Sequence, residues 1–195
     1  MGKRRLNVYE RSDRELIWGG LKGKSHFREA LYKRYFSYAM SIAVRYAGDS
    51  HEAIEIVNDS FMKVLDKLGD YNADRPFKSW YGRIVVNTAI DGFRKKKKND
   101  IHISSDHTSY EDMKDPEIEM TLTVNDILAL FSYMPEIYVL TFNLYEIEGY
   151  DHKEIGEMLG VSTSTSRSNL SRAKKMLRQL YNKHINSVDK DNEAV

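Results

Sequence analysis

The chain has 195 residues, 30 lysines and arginines against 29 aspartates and glutamates, a net charge of +1, and no cysteine. It can therefore carry no disulfide, zinc finger or thiol catalysis. It holds no run of about 18 apolar residues, so no membrane span is expected, and its charged start lacks the apolar stretch of a secretory signal. A cytosolic protein is the expectation. Three prolines and 41% apolar residues suit a helix-rich fold of one or two domains.

In chain order, Met1 to Arg11 is basic and polar and predicts a disordered start. Ser12 with Glu15 forms a capping-box pattern, and a short helix over Leu16 to Trp18 should stop at Gly19-Gly20. Ser25 is placed to cap a longer helix, in which Phe27, Leu31, Tyr35, Tyr38 and Ile42 hold a near-helical period. Gly48-Asp49-Ser50 breaks it. A third helix, from about His51 to Leu68, buries Ala53, Ile56, Val57, Ser60, Phe61, Val64, Leu65 and Leu68. Glu52, Glu55, Asp59 and Asp66 line its other faces. Plain solvation is the simple explanation of those carboxylates, and no histidine or second carboxylate is placed to suggest a metal or an acid–base pair.

Tyr71 to Pro76 is a turn-forming loop. Phe77 to Arg94 follows, where a strand over Ile84 to Val86 competes with a helix and the longer apolar spacing favours the helix. Its aromatic residues Phe77, Trp80 and Tyr81 interleave with Lys78, Arg83 and Arg94. Unpaired bases stack on such rings while cations neutralise phosphates. For Trp80, simple core packing is an equal alternative. Arg94 to Lys98 closes the segment as a cationic block. From Asn99 to Glu119 seven acids face one lysine, Lys114, which predicts a flexible acidic linker. Helices should resume over Leu122 to Met134 and over Glu136 to Glu148. Ile185 to Val195 looks like a polar tail.

Asp151 to Leu177 has the pattern of a helix-turn-helix. Ile155, Met158 and Leu159 form an apolar stripe, Gly160 can take the left-handed conformation that ends a helix, and Ser162 is a good N-cap. The second helix buries Leu170, Ala173 and Leu177. No acid occurs from Val161 to Tyr181. A solvated basic hairpin is the plain alternative, but a basic, hydroxyl-rich second helix after a glycine turn is the arrangement that enters the major groove.

These residues carry a resemblance. Glu55-Ile56-Val57-Asn58-Asp59-Ser60-Phe61, Phe77-Lys78-Ser79-Trp80 and Arg83-Ile84-Val85-Val86-Asn87 resemble the second conserved region of the sigma-70 family. Met134-Pro135-Glu136, Glu154 to Ser162 and Ser166 to Lys174 resemble its fourth region. Two such regions around a short acidic linker are similar to the extracytoplasmic-function (ECF) subgroup. Asn58-Asp59 stands where Gln-Glu is commoner, Gly82 where a bulkier residue is usual, and Ser166 where an aliphatic one is usual.

The resemblance implies an all-α protein of two small helical domains joined by the acidic flexible linker. Residues 12–98 would be region 2, 99–120 the linker, 121–184 region 4 with the helix-turn-helix, and 185–195 the tail. It implies a bacterial, cytoplasmic transcription initiation factor that binds core RNA polymerase, at the β′ clamp coiled coil and the β flap, and directs it to promoters. Glu52, Glu55 and Asp59 would dock on the clamp. Tyr71, Asn72, Asp74, Arg75, Phe77, Lys78, Trp80, Arg83, Asn87, Arg94 and Lys95 would engage the −10 element as duplex and as melted single strand. Arg167, Ser168, Ser171 and Arg172 would read the −35 duplex, with Lys153, Ser164, Thr165 and Lys175 on phosphates. An anti-sigma factor remains open as a further partner. No cofactor, metal or catalytic residue is implied. The rival reading is a helix-turn-helix regulator that does not bind core polymerase. An enzyme is disfavoured, because the chain has no P-loop, no paired carboxylates at metal spacing and six scattered histidines.

Overall fold

The computed structural model describes residues 7–99 and 124–192, with side chains over 7–98 and 127–183. Among these residues there are helices and turns and no strand, the all-α class expected. The chain divides into two compact units, Met1–Gly92 and Phe93–Val195.

In the first unit, Ser12 caps helix α1 (Asp13–Leu21) through a complete capping box with Glu15. Helix α1 runs past its predicted stop. Gly19 and Gly20 are buried contact points rather than breakers: the Phe27 ring fills the place of a Gly19 Cβ, and Leu68 closes on Gly20. Gly23, at φ +74°, makes the actual turn. Part of the start expected to be disordered is folded. Val8–Glu10 forms a 3-10 turn, and Arg34 donates to the Tyr9 carbonyl at 2.9 Å and the Arg11 carbonyl at 2.5 Å while pairing with Asp13 at 2.7 Å. Residues 1–6 lie outside the described residues.

Helix α2 (Ser25–Ala43) starts without a side-chain cap; Lys24 holds the N-cap position and Ser25 is already helical. The predicted Ser25 cap does not form. Helix α3 (Ser50–Lys67) is capped by Asp49, whose carboxylate accepts from the Glu52 amide at 2.8 Å. Helix α4 (Phe77–Asn99) is continuous, so the strand alternative at Ile84 to Val86 fails. Val85 and Val86 are buried, and that packing outweighs the weak helix propensity of β-branched residues. Gly82 packs against α2, and a Cβ there would lie 2.5 Å from the Tyr38 hydroxyl.

Aromatic rings knit α2, α3 and α4 together. Tyr35 packs on Phe77 at 4.9 Å between centroids, and Phe61 meets Tyr81 edge-on at 6.2 Å. Burial pushes the Tyr81 hydroxyl up to about 12, against about 10 for an exposed tyrosine. The buried neutral phenol therefore favours the folded unit below pH 10. That contribution is lost as pH rises from about 10 to about 12. Alkaline unfolding followed by helix content should begin in this window, and Tyr81→Phe should shift its onset upward.

In the second unit, helix α5 (Val124–Phe131) leads through Pro135 into helix α6 (Glu136–Phe142). The predicted helix to Glu148 widens into a π-helical turn over Asn143–Ile147, with Asn143 buried. Helices α7 (His152–Leu159) and α8 (Thr163–Asn192) follow. Phe131, Met134, Val139 and Ala173 form a core against which Met176, Leu177 and Leu180 pack. Helix α8 continues to Asn192, where a polar tail was expected from Ile185. Asn99 ends α4; the rest of the predicted linker lies outside the described residues. Among those residues no helix is long and apolar enough to cross a membrane.

Candidate nucleic-acid interface

The turn between α7 and α8 is built by local bonds that the sequence specifies. Asp151 accepts from the Lys153 and Glu154 amides at 2.8 Å each, and Glu154 returns a bond from the Asp151 amide at 2.8 Å. These amides, Glu154's above all, hold the Asp151 carboxyl below its ordinary range. Gly160 takes φ +65° and ψ 43° and closes α7. The Val161 amide bonds back to the Gly156 carbonyl at 3.0 Å. A Cβ on Gly156 would sit 2.8 Å from the Val161 carbonyl oxygen, and backbone cannot swing aside. Gly156→Ala should destabilise this unit by about 1–3 kcal/mol, read as a lowered melting temperature.

Ser162 caps α8, its Oγ accepting from the Thr165 amide at 3.0 Å. The Ser164 and Thr165 hydroxyls turn toward the same oxygen, at 2.8 and 2.7 Å. One face of α8 exposes Ser164, Arg167, Ser168, Ser171 and Arg172, while Ser166, Asn169, Leu170 and Ala173 are buried. Lys153 is exposed at the start of α7. Arg172 Nη1 reaches the Tyr138 hydroxyl at 3.5 Å. Lys174 pairs with Glu146 at 2.7 Å.

Lys175 departs from expectation. Its ammonium is buried without a hydrogen-bond partner, so it is not placed to meet a phosphate. Ser166, the departure noted in the motif, is fully buried and shares a 3.0 Å hydrogen bond with His152 Nδ1. The His152 ring stacks on Tyr145 at 4.5 Å. This chain of contacts ties the π-turn, α7 and α8 together. Sequence reading missed it, because only the polar residue at an aliphatic position hinted at a buried partner.

In the first unit, the loop before α4 is held by its own groups. Asn72 Oδ1 accepts from the Asp74 amide at 2.9 Å, and its carbonyl accepts from the Arg75 amide at 3.1 Å. The Tyr71 hydroxyl donates to the Arg75 carbonyl. Tyr71 leans on Phe77 at 5.5 Å and on Trp80 at 5.1 Å. Asn72, Asp74 and Arg75 are exposed. Phe77 is 3% exposed, which corrects its assignment to base stacking. Trp80 is half-buried. Arg83 and Asn87 are exposed and recur with Trp80 along one stripe of α4; Arg94 and Lys95, beyond Gly92 on the same helix, are exposed as well. Lys78 sits apart, its ammonium 4.6 Å from the Tyr38 ring centroid on α2.

On α3, Glu55 and Asp59 are exposed. Glu52 is not a free docking group, since its carboxylate accepts from the Gly48 amide at 2.8 Å in the turn ahead of the helix. Beside the acids, Ile54 and Met62 are 43% and 58% exposed. The face is mixed apolar and acidic, a feature the charge pattern alone did not reveal. Among the described residues no group of three potential ligands could hold a metal.

The family described as Sigma-70 region 2 matches residues 31–99, and Sigma-70 region 4 matches residues 125–177. The RNA polymerase sigma factor SigV of Bacillus subtilis is 31% identical over 137 residues, 70% of this chain and 80% of that protein. The RNA polymerase sigma-H factor of Pseudomonas aeruginosa is 23% identical over 86% of this chain and 93% of its own length. The ECF RNA polymerase sigma factor SigE of Mycolicibacterium smegmatis is 25% identical over 80% of this chain, which spans 62% of that relative. With both conserved regions present in order, the chain belongs to the sigma-70 family of RNA polymerase sigma factors, in its extracytoplasmic-function subgroup.

Proposed function

We propose that the two units divide promoter recognition between them. Residues 121–184 read the −35 duplex and residues 12–98 dock on core polymerase and open the −10 element, with residues 99–120 linking them. The carrying observation is the α8 face: Arg167, Ser168, Ser171 and Arg172 are exposed together on a helix whose start is fixed by Gly160 and Ser162. Arginine to guanine is the commonest specific base contact. Lys153 contacts phosphate and positions the helix without reading sequence.

Melting falls to Trp80 and the Tyr71–Arg75 loop, with Arg83, Asn87, Arg94 and Lys95 along the backbone. Extruding a base costs a few kcal/mol of stacking and pairing, which stacking on the Trp80 ring and loop contacts offset. Trp80→Ala should therefore slow open-complex formation about five- to tenfold, near the low end of stacking energies because the ring is half-buried. Permanganate footprinting of unpaired thymines reads this directly. Docking falls to Glu55 and Asp59 on the mixed face of α3, against a basic clamp surface. The protein works in the bacterial cytoplasm, where core polymerase is, and has no chemistry of its own. An anti-sigma factor that restrains it would have to cover α3 or α8.

Pull-down of the purified protein with core polymerase, followed by transcription from a random-promoter library, tests the whole reading. Stable binding and a selected two-part motif are expected. Duplex binding without any binding to core would replace it with a helix-turn-helix regulator.

A further inference from the structure

The second unit carries a chain of polar contacts that the assigned promoter contacts leave unexplained. It starts at the π-helical turn Asn143–Ile147, where the Glu148 amide closes on the Asn143 carbonyl at 3.0 Å. Such wide turns occur frequently at functional sites. This one directs two successive side chains at the helix-turn-helix. Tyr145 lies against His152, with ring centroids 4.5 Å and planes 19° apart. His152 Nδ1 in turn shares a 3.0 Å hydrogen bond with Ser166 Oγ. Glu146 Oε1 pairs with Lys174 Nζ at 2.7 Å.

These two arms reach α8 at opposite ends of its reading face. Ser166 and Lys174 are about two turns apart, roughly 12 Å along the axis at 1.5 Å per residue. Arg167, Ser168, Ser171 and Arg172 all fall between them and are exposed. The near arm is the more constrained. Ser166 is 0% exposed, so its hydroxyl cannot exchange His152 for water. His152 is the first residue of α7 and is held there by the Asp151–Glu154 capping box. An aliphatic side chain at 166 would also fill the space, but apolar contact is non-directional. A hydrogen bond fixes distance and angle, so it sets the rotation of α8 about its axis, which filling alone leaves loose. The far arm is partly exposed and adds a weaker restraint.

We infer that the His152–Ser166 pair, backed by Tyr145, is a positioning device for −35 recognition: it sets the rotation at which α8 presents Arg167, Ser168, Ser171 and Arg172 to the bases. The inference rests on assigning that face to the −35 duplex. A bidentate arginine–guanine contact needs two bonds aligned at once, whereas attraction to phosphate depends on charge and not on base sequence. Losing the pair therefore lowers discrimination between sequences and leaves sequence-independent binding and folding intact.

The test uses holoenzyme made with the full chain and a panel of promoter duplexes with single-base changes across the −35 element, at one fixed salt concentration. Valine and threonine have the same shape, so Ser166→Val and Ser166→Thr share any packing strain and differ by the hydroxyl. Ser166→Val should cut the affinity ratio of cognate to changed sequences about three- to tenfold. That is near the low end of what one bidentate pair is worth, because the contact is loosened rather than lost. Ser166→Thr should keep most of the ratio. His152→Phe keeps a ring on Tyr145 and removes the nitrogen. It should match Ser166→Val, and the double variant should lose no more than either single one. Affinity for duplex lacking a −35 element, and the melting temperature of the free chain, should stay near wild-type values throughout. An unchanged ratio in Ser166→Val overturns the device. So does an equal loss in Ser166→Thr, which makes volume at 166 the cause. A clear fall in melting temperature, or a parallel loss on every duplex, overturns it too and leaves the pair as structural support. The −35 assignment fails separately, if Arg172→Ala discriminates as the wild type does.

Discussion

Arg172→Ala should lower transcription from a cognate promoter roughly 10- to 100-fold while holoenzyme assembles normally. Arg172 is exposed on the acid-free face of α8, and its bond to the Tyr138 hydroxyl is a long one, 3.5 Å. The guanidinium is thus available to a base edge, with Tyr138 steadying it from α6. A bidentate arginine–guanine pair is worth about 1–3 kcal/mol of discrimination, which sets the size of the effect. A panel of single-base changes across the −35 element separates readout from positioning. Wild type should discriminate sharply at one position, and the variant should treat all four bases there alike. Tyr138→Phe should cost far less, because it removes the tether and leaves the reader. If Arg172→Ala loses activity by the same factor on every promoter in the panel, the residue is a phosphate contact and Arg167 becomes the reader.

The elements that were legible in the sequence are those whose signals are local. Ser12 with Glu15, and Gly160 followed by Ser162, announce their caps within four residues, and the structure shows each bond in place. What sequence could not supply is which of several similar side chains the tertiary neighbours claim. Phe77 and Trp80 are one helical turn apart and equally aromatic, yet Tyr35, Tyr71 and Tyr81 surround and bury the first and leave the second half-buried. Glu52 and Glu55 look alike on a helical wheel, but the chain turn at Gly48 brings a backbone amide to Glu52 alone. Gly19-Gly20 reads as a helix stop because glycine is a poor helix former; here close packing against Phe27 and Leu68 requires it inside the helix. Lys175 reads as one more solvated cation of α8, and only the packing of α8 on its neighbours shows its ammonium turned inward.

Asp59→Arg should act on the other half of the protein, cutting affinity for core polymerase at least about 30-fold. The physical case starts from the side of α3 that faces away from the core. Ala53, Ile56, Val57, Phe61 and Val64 hold the helix from within, so a change at exposed Asp59 leaves the unit folded. Around Asp59 lie Ile54, Glu55 and Met62, all exposed. Exposed apolar side chains beside charged ones suit an interface, and carboxylates there select a basic partner surface. Reversing the charge removes one attraction and adds a repulsion in a partly desolvated contact, where like-charge juxtaposition costs several kcal/mol. Competition against labelled wild-type factor for a limiting amount of core measures the loss. Raising the ionic strength should narrow the gap between the two proteins, since the repulsion is screened. The small fraction of holoenzyme that does form should choose promoters as the wild type does. Glu52→Ala provides the contrast: it removes only the carboxylate that holds the Gly48 amide ahead of α3, so it should cost about 1 kcal/mol of stability with little effect on docking. Unchanged core affinity in Asp59→Arg, with altered promoter choice, would move the docking surface off α3 and leave its acidic face to solvent.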